Sequence, residues 1–213
     1  MKNLKTLGLA AAAACALIAL SGGGSAPATV LCKVCALRCP PAQVYPVGTT
    51  ITSTLKPGTS VVFRETLGKV LLTCTSSTMG GKVTNKGGVG VPVSGHLEGL
   101  GLTGCSEAFA PLTNGTFEIH HTGPNTEGKT TLKETKVKLT SMGMSCVYTA
   151  GGGVQVGLFT SGESATESPP LDVFAVLTKL EGGAFCPPDV VWEGAYVTTS
   201  PKPLYFKSKM EGE

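Results

Sequence analysis

Three histidines and one cysteine cluster are the places where this chain could do chemistry. His96 and Glu98 stand two residues apart, so on a strand they share a face. A histidine–carboxylate pair can take up a proton or ligate a metal. His120 and Glu118 repeat that spacing, while His121 shares its face with Phe117 and Ile119. A general base needs an orienting partner, and a metal needs more ligands; neither histidine pair has a third group nearby in sequence. Solvated strand-surface histidines are the expected outcome. A secreted hydrolase built on His96 and Glu98 is the alternative.

Cys32-x-x-Cys35-x-x-x-Cys39 packs three thiols into eight residues. A structural zinc requires four ligands, and no second CxxC or paired histidine completes the set. A thioredoxin-type CxxC opens a helix, whereas Pro40-Pro41 follows here almost at once, which stops one. The residues from Gly99 to Gly104 spell G-x-G-x-x-G, but a dinucleotide loop must lead into a helix that faces the pyrophosphate. Cys105, Pro111 and Asn114-Gly115 leave no room for it, so this segment reads as a strand bent by glycines. There is no G-x-S-x-G elbow, and with only Asp172 and Asp189 as aspartates no D-x-D calcium loop can form. Nothing singles out a glycosidase pair among the glutamates. The expectation is a non-enzyme with no catalytic, cofactor-binding or metal residues and no cofactor.

The elements that would carry these residues follow from composition. Charged residues make up 15% of the 213 and aromatics 6%, with 29 glycines and 14 prolines. Such a chain is poor in helix formers and rich in β-branched and turn residues. A formal charge of +3, thinly scattered, is too small for a nucleic-acid surface. Lys2 and Lys5 precede an apolar run from Leu7 to Leu20, then small residues up to Ala26-Pro27-Ala28. Fourteen apolar residues fall short of the roughly 20 that span a bilayer. The segment reads as a signal peptide, residues 1–28, cleaved after Ala28, with no transmembrane segment in the mature chain. Cys15 after Ala12-Ala13-Ala14 is a poor lipobox, because the chain stays apolar beyond it; a lipid-anchored envelope protein is the third, weakest reading.

Residues 29–213 then read as one continuous β-rich domain, with a division into two β subassemblies left open. Strands are expected at Thr49–Leu55, Ser60–Glu65, Lys69–Ser76, Lys82–Thr84, Val91–Leu102, Thr116–His121 and Thr130–Thr140. Further ones are expected at Cys146–Thr149, Val154–Thr160, Leu171–Leu180, Val190–Thr199 and Pro203–Lys207. A dozen short strands between glycine- and proline-rich turns point to an all-β fold, an antiparallel β-sandwich. Trp192, Tyr196, Tyr205 and Phe206 gather near the C-terminus, where they suit a β-core better than a sugar-stacking surface.

Seven cysteines remain after the signal segment, an odd number, and export favours disulfides. Leu31-Cys32-Lys33, Tyr45-Pro46-Val47-Gly48-Thr49-Thr50-Ile51, Leu72-Thr73-Cys74-Thr75-Ser76-Ser77-Thr78 and Gly104-Cys105 carry a resemblance. Cys146-Val147-Tyr148, Cys186-Pro187, Trp192, Tyr196 and Pro201-Lys202-Pro203-Leu204-Tyr205 extend it along nearly the whole chain. Together these resemble a group of secreted β-rich, cysteine-containing bacterial proteins of unknown function, from actinobacteria and some proteobacteria. The resemblance implies an N-terminal pair, Cys32 with Cys39, and leaves Cys35 as the extra thiol. Cys74 with Cys105 would close the glycine-rich hairpins, and Cys146 with Cys186 would tie the C-terminal strands. The expected protein is a secreted or envelope-associated monomer, disulfide-stapled and non-catalytic. It would serve as a binding or structural module with no nucleic-acid partner and an unknown ligand.

Overall fold

In the computed structural model, described residues are 29–34, 38–121, 127–141, 143–150, 154–160 and 170–207. Residues 1–28, expected to be a signal peptide and including Cys15, lie outside them, as does Cys35. The described strands are β1 (Val30–Cys32), β2 (Thr50–Leu55), β3 (Val61–Glu65), β4 (Val70–Val83), β5 (Val93–Cys105), β6 (Ala108–Thr113) and β7 (Thr116–His121). They continue with β8 (Glu127–Lys133), β9 (Thr135–Ser141), β10 (Met144–Ala150), β11 (Val154–Thr160), β12 (Pro170–Glu181), β13 (Asp189–Ser200) and β14 (Tyr205–Lys207). The helical content described is one 3₁₀ turn at Pro41–Gln43, and no described helix is long and apolar enough to cross a membrane. The fold is all-β, antiparallel and disulfide-bonded.

The main sheet closes on itself. β13, β3, β4, β5, β7, β8, β11 and β12 pair in that order, and β12 pairs back onto β13. The layers that face each other across the core are thus parts of one continuous sheet, which leaves no open edge along that ring. β2 and β3 occupy one place in it, end to end between β4 and β13. β2 lies on Thr78–Lys82 of β4 and Tyr196–Ser200 of β13, whereas β3 lies on Val70–Cys74 and Val190–Glu193.

Two storeys result, threaded by the long strands β4, β5, β12 and β13. The first contains β2, β7, β8 and β11; the second contains β3, β6, β9 and β10. β12 shows the handover: Leu171–Val173 pair with β11, and Thr178–Glu181 pair with β10. The β12–β13 ladder runs through both storeys without a shift, whereas the β4–β5 ladder is irregular. β4 shifts register between Gly80 and Gly81, and Glu98 is the residue of β5 passed over there. Such a bulge adds one residue, bends the strand and resets which side chains face inward.

The expected strand at Thr130–Thr140 is therefore two strands, β8 and β9. Glu134, with φ 62°, interrupts them as an extra residue. Thr130 and Leu132 before it and Thr135, Val137 and Leu139 after it are all buried, which strict alternation could not achieve. The expected strands at Lys69–Ser76 and Lys82–Thr84 are conversely one, β4. β1 and the proline-bearing β6 add to the expected set. Among the described residues β6 pairs with β9 alone, and an edge strand tolerates Pro111.

One apolar core runs through both storeys, from Ile51, Ile119 and Val173 to Phe63, Leu72 and Tyr148. Trp192 stands between them, its ring stacked on Phe63 at 5.9 Å. The far end of the first storey is capped by β1 paired with β14, with Leu31, Leu204 and Phe206 turned into the main core. Tyr45 Oη donates to the Pro203 carbonyl at 2.6 Å and ties the cap to the loop before β2. Cys32–Cys39 closes the cap from outside, beside Val30, Val44 and Tyr205. Cys74–Cys105 crosses adjacent strands, and Cys146–Cys186 joins β10 to the β12–β13 loop.

A candidate ligand cavity in the first storey

The inner wall of the first storey is built from alternate residues of its strands. Ile51 and Ser53 come from β2, Met79 and Gly81 from β4, Leu97 from β5, Phe117 and Ile119 from β7. Thr130 and Leu132 of β8, Leu171 and Val173 of β12 and Trp192 of β13 complete it. They enclose a cavity of about 60 Å³. Glycine makes it possible. A Cβ at Gly81 would lie 2.6 Å from the Phe117 ring, and one at Gly95 would meet the same ring. Phe117 therefore lies across two side-chain-free positions on β4 and β5, and its neighbours do not fill the space around it.

The wall is nearly all hydrocarbon. Ser53 Oγ is engaged with Thr198 Oγ1 at 3.2 Å. Thr130 Oγ1 is buried without a hydrogen-bond partner. Behind the wall, Ser77 Oγ and Tyr196 Oη are 2.9 Å apart. Burial pushes the Tyr196 phenol up to about 12, against the opposing pull of Ser77 and the neighbouring Trp192 indole, so it stays neutral. A water needs about 10–15 Å³ and two to four polar partners. This cavity has the room, and besides Thr130 Oγ1 only the Trp192 Nε1 of its lining is a buried polar atom without a partner; the remaining surface is hydrocarbon, so its chemistry suits a mainly apolar occupant. Its volume limits that occupant to a few carbons, since benzene fills a cavity of roughly 150 Å³.

The histidine pairs lie outside this wall. His96 and Glu98 are both exposed on β5, no hydrogen bond or ion pair joins them, and Glu98 sits at the bulge. His120 Nε2 does reach Glu118 Oε2 at 3.4 Å, on the outer face of β7. Lys133 Nζ binds the other oxygen of Glu118 at 2.7 Å and, with His120, holds that carboxyl below its usual range against the opposing effect of burial. An outward pair of Arg64 and Glu193 similarly bridges β3 and β13. These are strand-to-strand ties on a solvated face. His121 is buried, and its backbone N–H donates to Thr29 Oγ1 at 2.6 Å.

The residues from Gly99 to Gly104 lie in β5, paired with β4, and form no phosphate loop. Trp192, Tyr196, Tyr205 and Phe206 are all buried, as core and cap rather than as a stacking surface. Among the described residues no three His, Cys, Asp or Glu side chains are grouped to hold a metal. Sequence reasoning misses the cavity. Its one legible trace is glycine inside strands, at Gly80, Gly81 and Gly95.

The fold and cavity define an all-β, disulfide-bonded protein without an obvious metal or catalytic cluster among its described residues. No protein-family model, no curated protein and no solved structure matches the chain.

Proposed function

We propose that this chain is an exported, non-catalytic binding module that holds the apolar end of a small molecule inside its first storey. Export rests on the basic-then-apolar segment at Lys2 to Leu20 and on the disulfide pairs. The membership suggested by the cysteine and Tyr-Pro motifs, the envelope or extracellular setting and the monomeric state belong to the same reading. The observation that carries the binding role is the cavity: space bounded mainly by hydrocarbon, with an unpartnered hydroxyl at Thr130 and an unpartnered indole N–H at Trp192. Close packing is the rule in protein interiors, and a sheet that closes round its own core has no need of the gap.

The test is methyl NMR of the mature protein under xenon pressure and, separately, titrated with 1-butanol. Ile51, Leu97 and Leu132 methyls should shift in saturable fashion, and Val173→Phe, which fills the space, should abolish the response. Thr130→Val should raise stability by about 1–3 kcal/mol while keeping xenon binding and weakening that of the alcohol. Shifts scattered over the surface, or an unchanged response in Val173→Phe, would remove the basis for this reading.

A further inference from the structure

A second opening lies at the other end of the molecule, where the turns of the second storey gather. The β3–β4 turn, the β5–β6 turn, the start of β10 and the loop after β12 surround a cavity of about 90 Å³. Its walls are apolar, including Leu72, Leu139 and Met144, and Phe185 stands at the rim, 84% exposed. Glu65, Lys69 and Glu107 also line it. Lys69 Nζ approaches Glu65 Oε1 at 3.8 Å and is mostly solvated.

Tyr148 also lines this cavity. It is fully buried, and its hydroxyl has no hydrogen-bond partner. Burial first, then the charges of Glu65 and Asp189, push this phenol up to about 12. Tyr148 and Glu65 line the same cavity. A buried hydroxyl left unpaired costs about 1–3 kcal/mol. Here it stands in an apolar recess whose mouth carries two carboxylates and one solvent-exposed lysine.

We propose that this recess binds a primary alkylammonium: a stem of a few carbons with a cationic head, either a free amine or the side chain of a lysine in a peptide. An ammonium has three donors and no acceptor, which suits the Tyr148 oxygen and the Glu65 and Glu107 carboxylates. The stem lies along Leu72 and Leu139. The carboxylates repel an anion, and a neutral alcohol gains no ion pair.

Calorimetric and NMR titration of the mature protein should compare n-butylammonium chloride, N-acetyl-lysine amide, 1-butanol and sodium butyrate. Butylammonium is expected to bind at least tenfold more tightly than 1-butanol, with shifts at Leu139 and Met144, and butyrate is expected not to bind there. Binding of both cations would point to a peptide lysine as the natural occupant, and binding of butylammonium alone to a free amine; each supports the site. Tyr148→Phe and Glu107→Gln should each weaken butylammonium binding about tenfold. Tyr148→Phe should melt no lower than the wild type, since it deletes a hydroxyl with nothing to bond to. Equal affinity for 1-butanol, no binding by butylammonium, or undiminished binding by folded Tyr148→Phe would overturn the proposal. The first-storey test reads Ile51, Leu97 and Leu132, so the two sites fail independently.

Discussion

Trp192→Ala should lower the unfolding free energy by about 3–5 kcal/mol, the usual cost of emptying a buried aromatic site. Trp192 is 1% exposed, and its loss touches both storeys. It removes the ring stacked on Phe63 and takes away one wall of the first-storey cavity. In a chain of this size each kcal/mol corresponds to about 2–4 °C in Tm, so the fall should be roughly 10 °C. The enlarged space gives a second readout. Benzene, too large for the native cavity of about 60 Å³, should raise the Tm of the variant and leave the wild type unmoved, because it binds only the folded state with room for it. A loss below about 1 kcal/mol would show that Trp192 does not hold the two storeys together.

Removal of the Cys146–Cys186 bond by the double substitution Cys146→Ala/Cys186→Ala should be comparably costly. The bond spans 40 residues, and the loop-entropy relation assigns it about 4 kcal/mol. Cys32–Cys39 spans only 7 and should be worth about 2 kcal/mol by the same relation. Denaturant midpoints of the two double variants should fall in that order. The ranking has a local reason as well. Cys146–Cys186 anchors the β12–β13 loop against β10, and Lys179 Nζ donates to the Cys186 carbonyl there at 3.1 Å. Substituting both partners avoids a lone reactive thiol, which would confuse the comparison. A larger loss from the Cys32–Cys39 variant would mean that the cap, rather than the second storey, limits stability.

Much of this molecule is legible in its amino-acid sequence. β7 and β11 have the boundaries that turn chemistry and alternation predict, Asn114-Gly115 marking the start of one of them. The all-β class follows from glycine, threonine and valine in short runs, because such residues favour extended backbone and tight turns whatever surrounds them. The outward placement of Lys136 and Lys138 against buried Val137 and Leu139 follows from the period-two rule. So does the joint exposure of His96 and Glu98, although that rule says nothing of the bulge at Glu98.

Tertiary structure alone decided the rest. Period-two reasoning assumes that a strand keeps one phase, but the inward set shifts at Thr75–Ser76 in β4 and at Glu98 in β5, and Glu134 shifts it between β8 and β9. A bulge depends on which partner lies alongside, so the isolated segment does not reveal it. Closure of the sheet rests on β12 pairing with β13 as well as with β10 and β11, a matter of non-local partners that no local propensity encodes. The same holds for the two cavities. Gly81, Leu97, Phe117 and Thr130 border one space only because four strands meet around it, and Tyr148 and Glu65 line another only because β3 and β10 reach the same mouth. Local chemistry chose the strands; the packing of distant strands around a shared interior chose where space and unpaired hydroxyls were left.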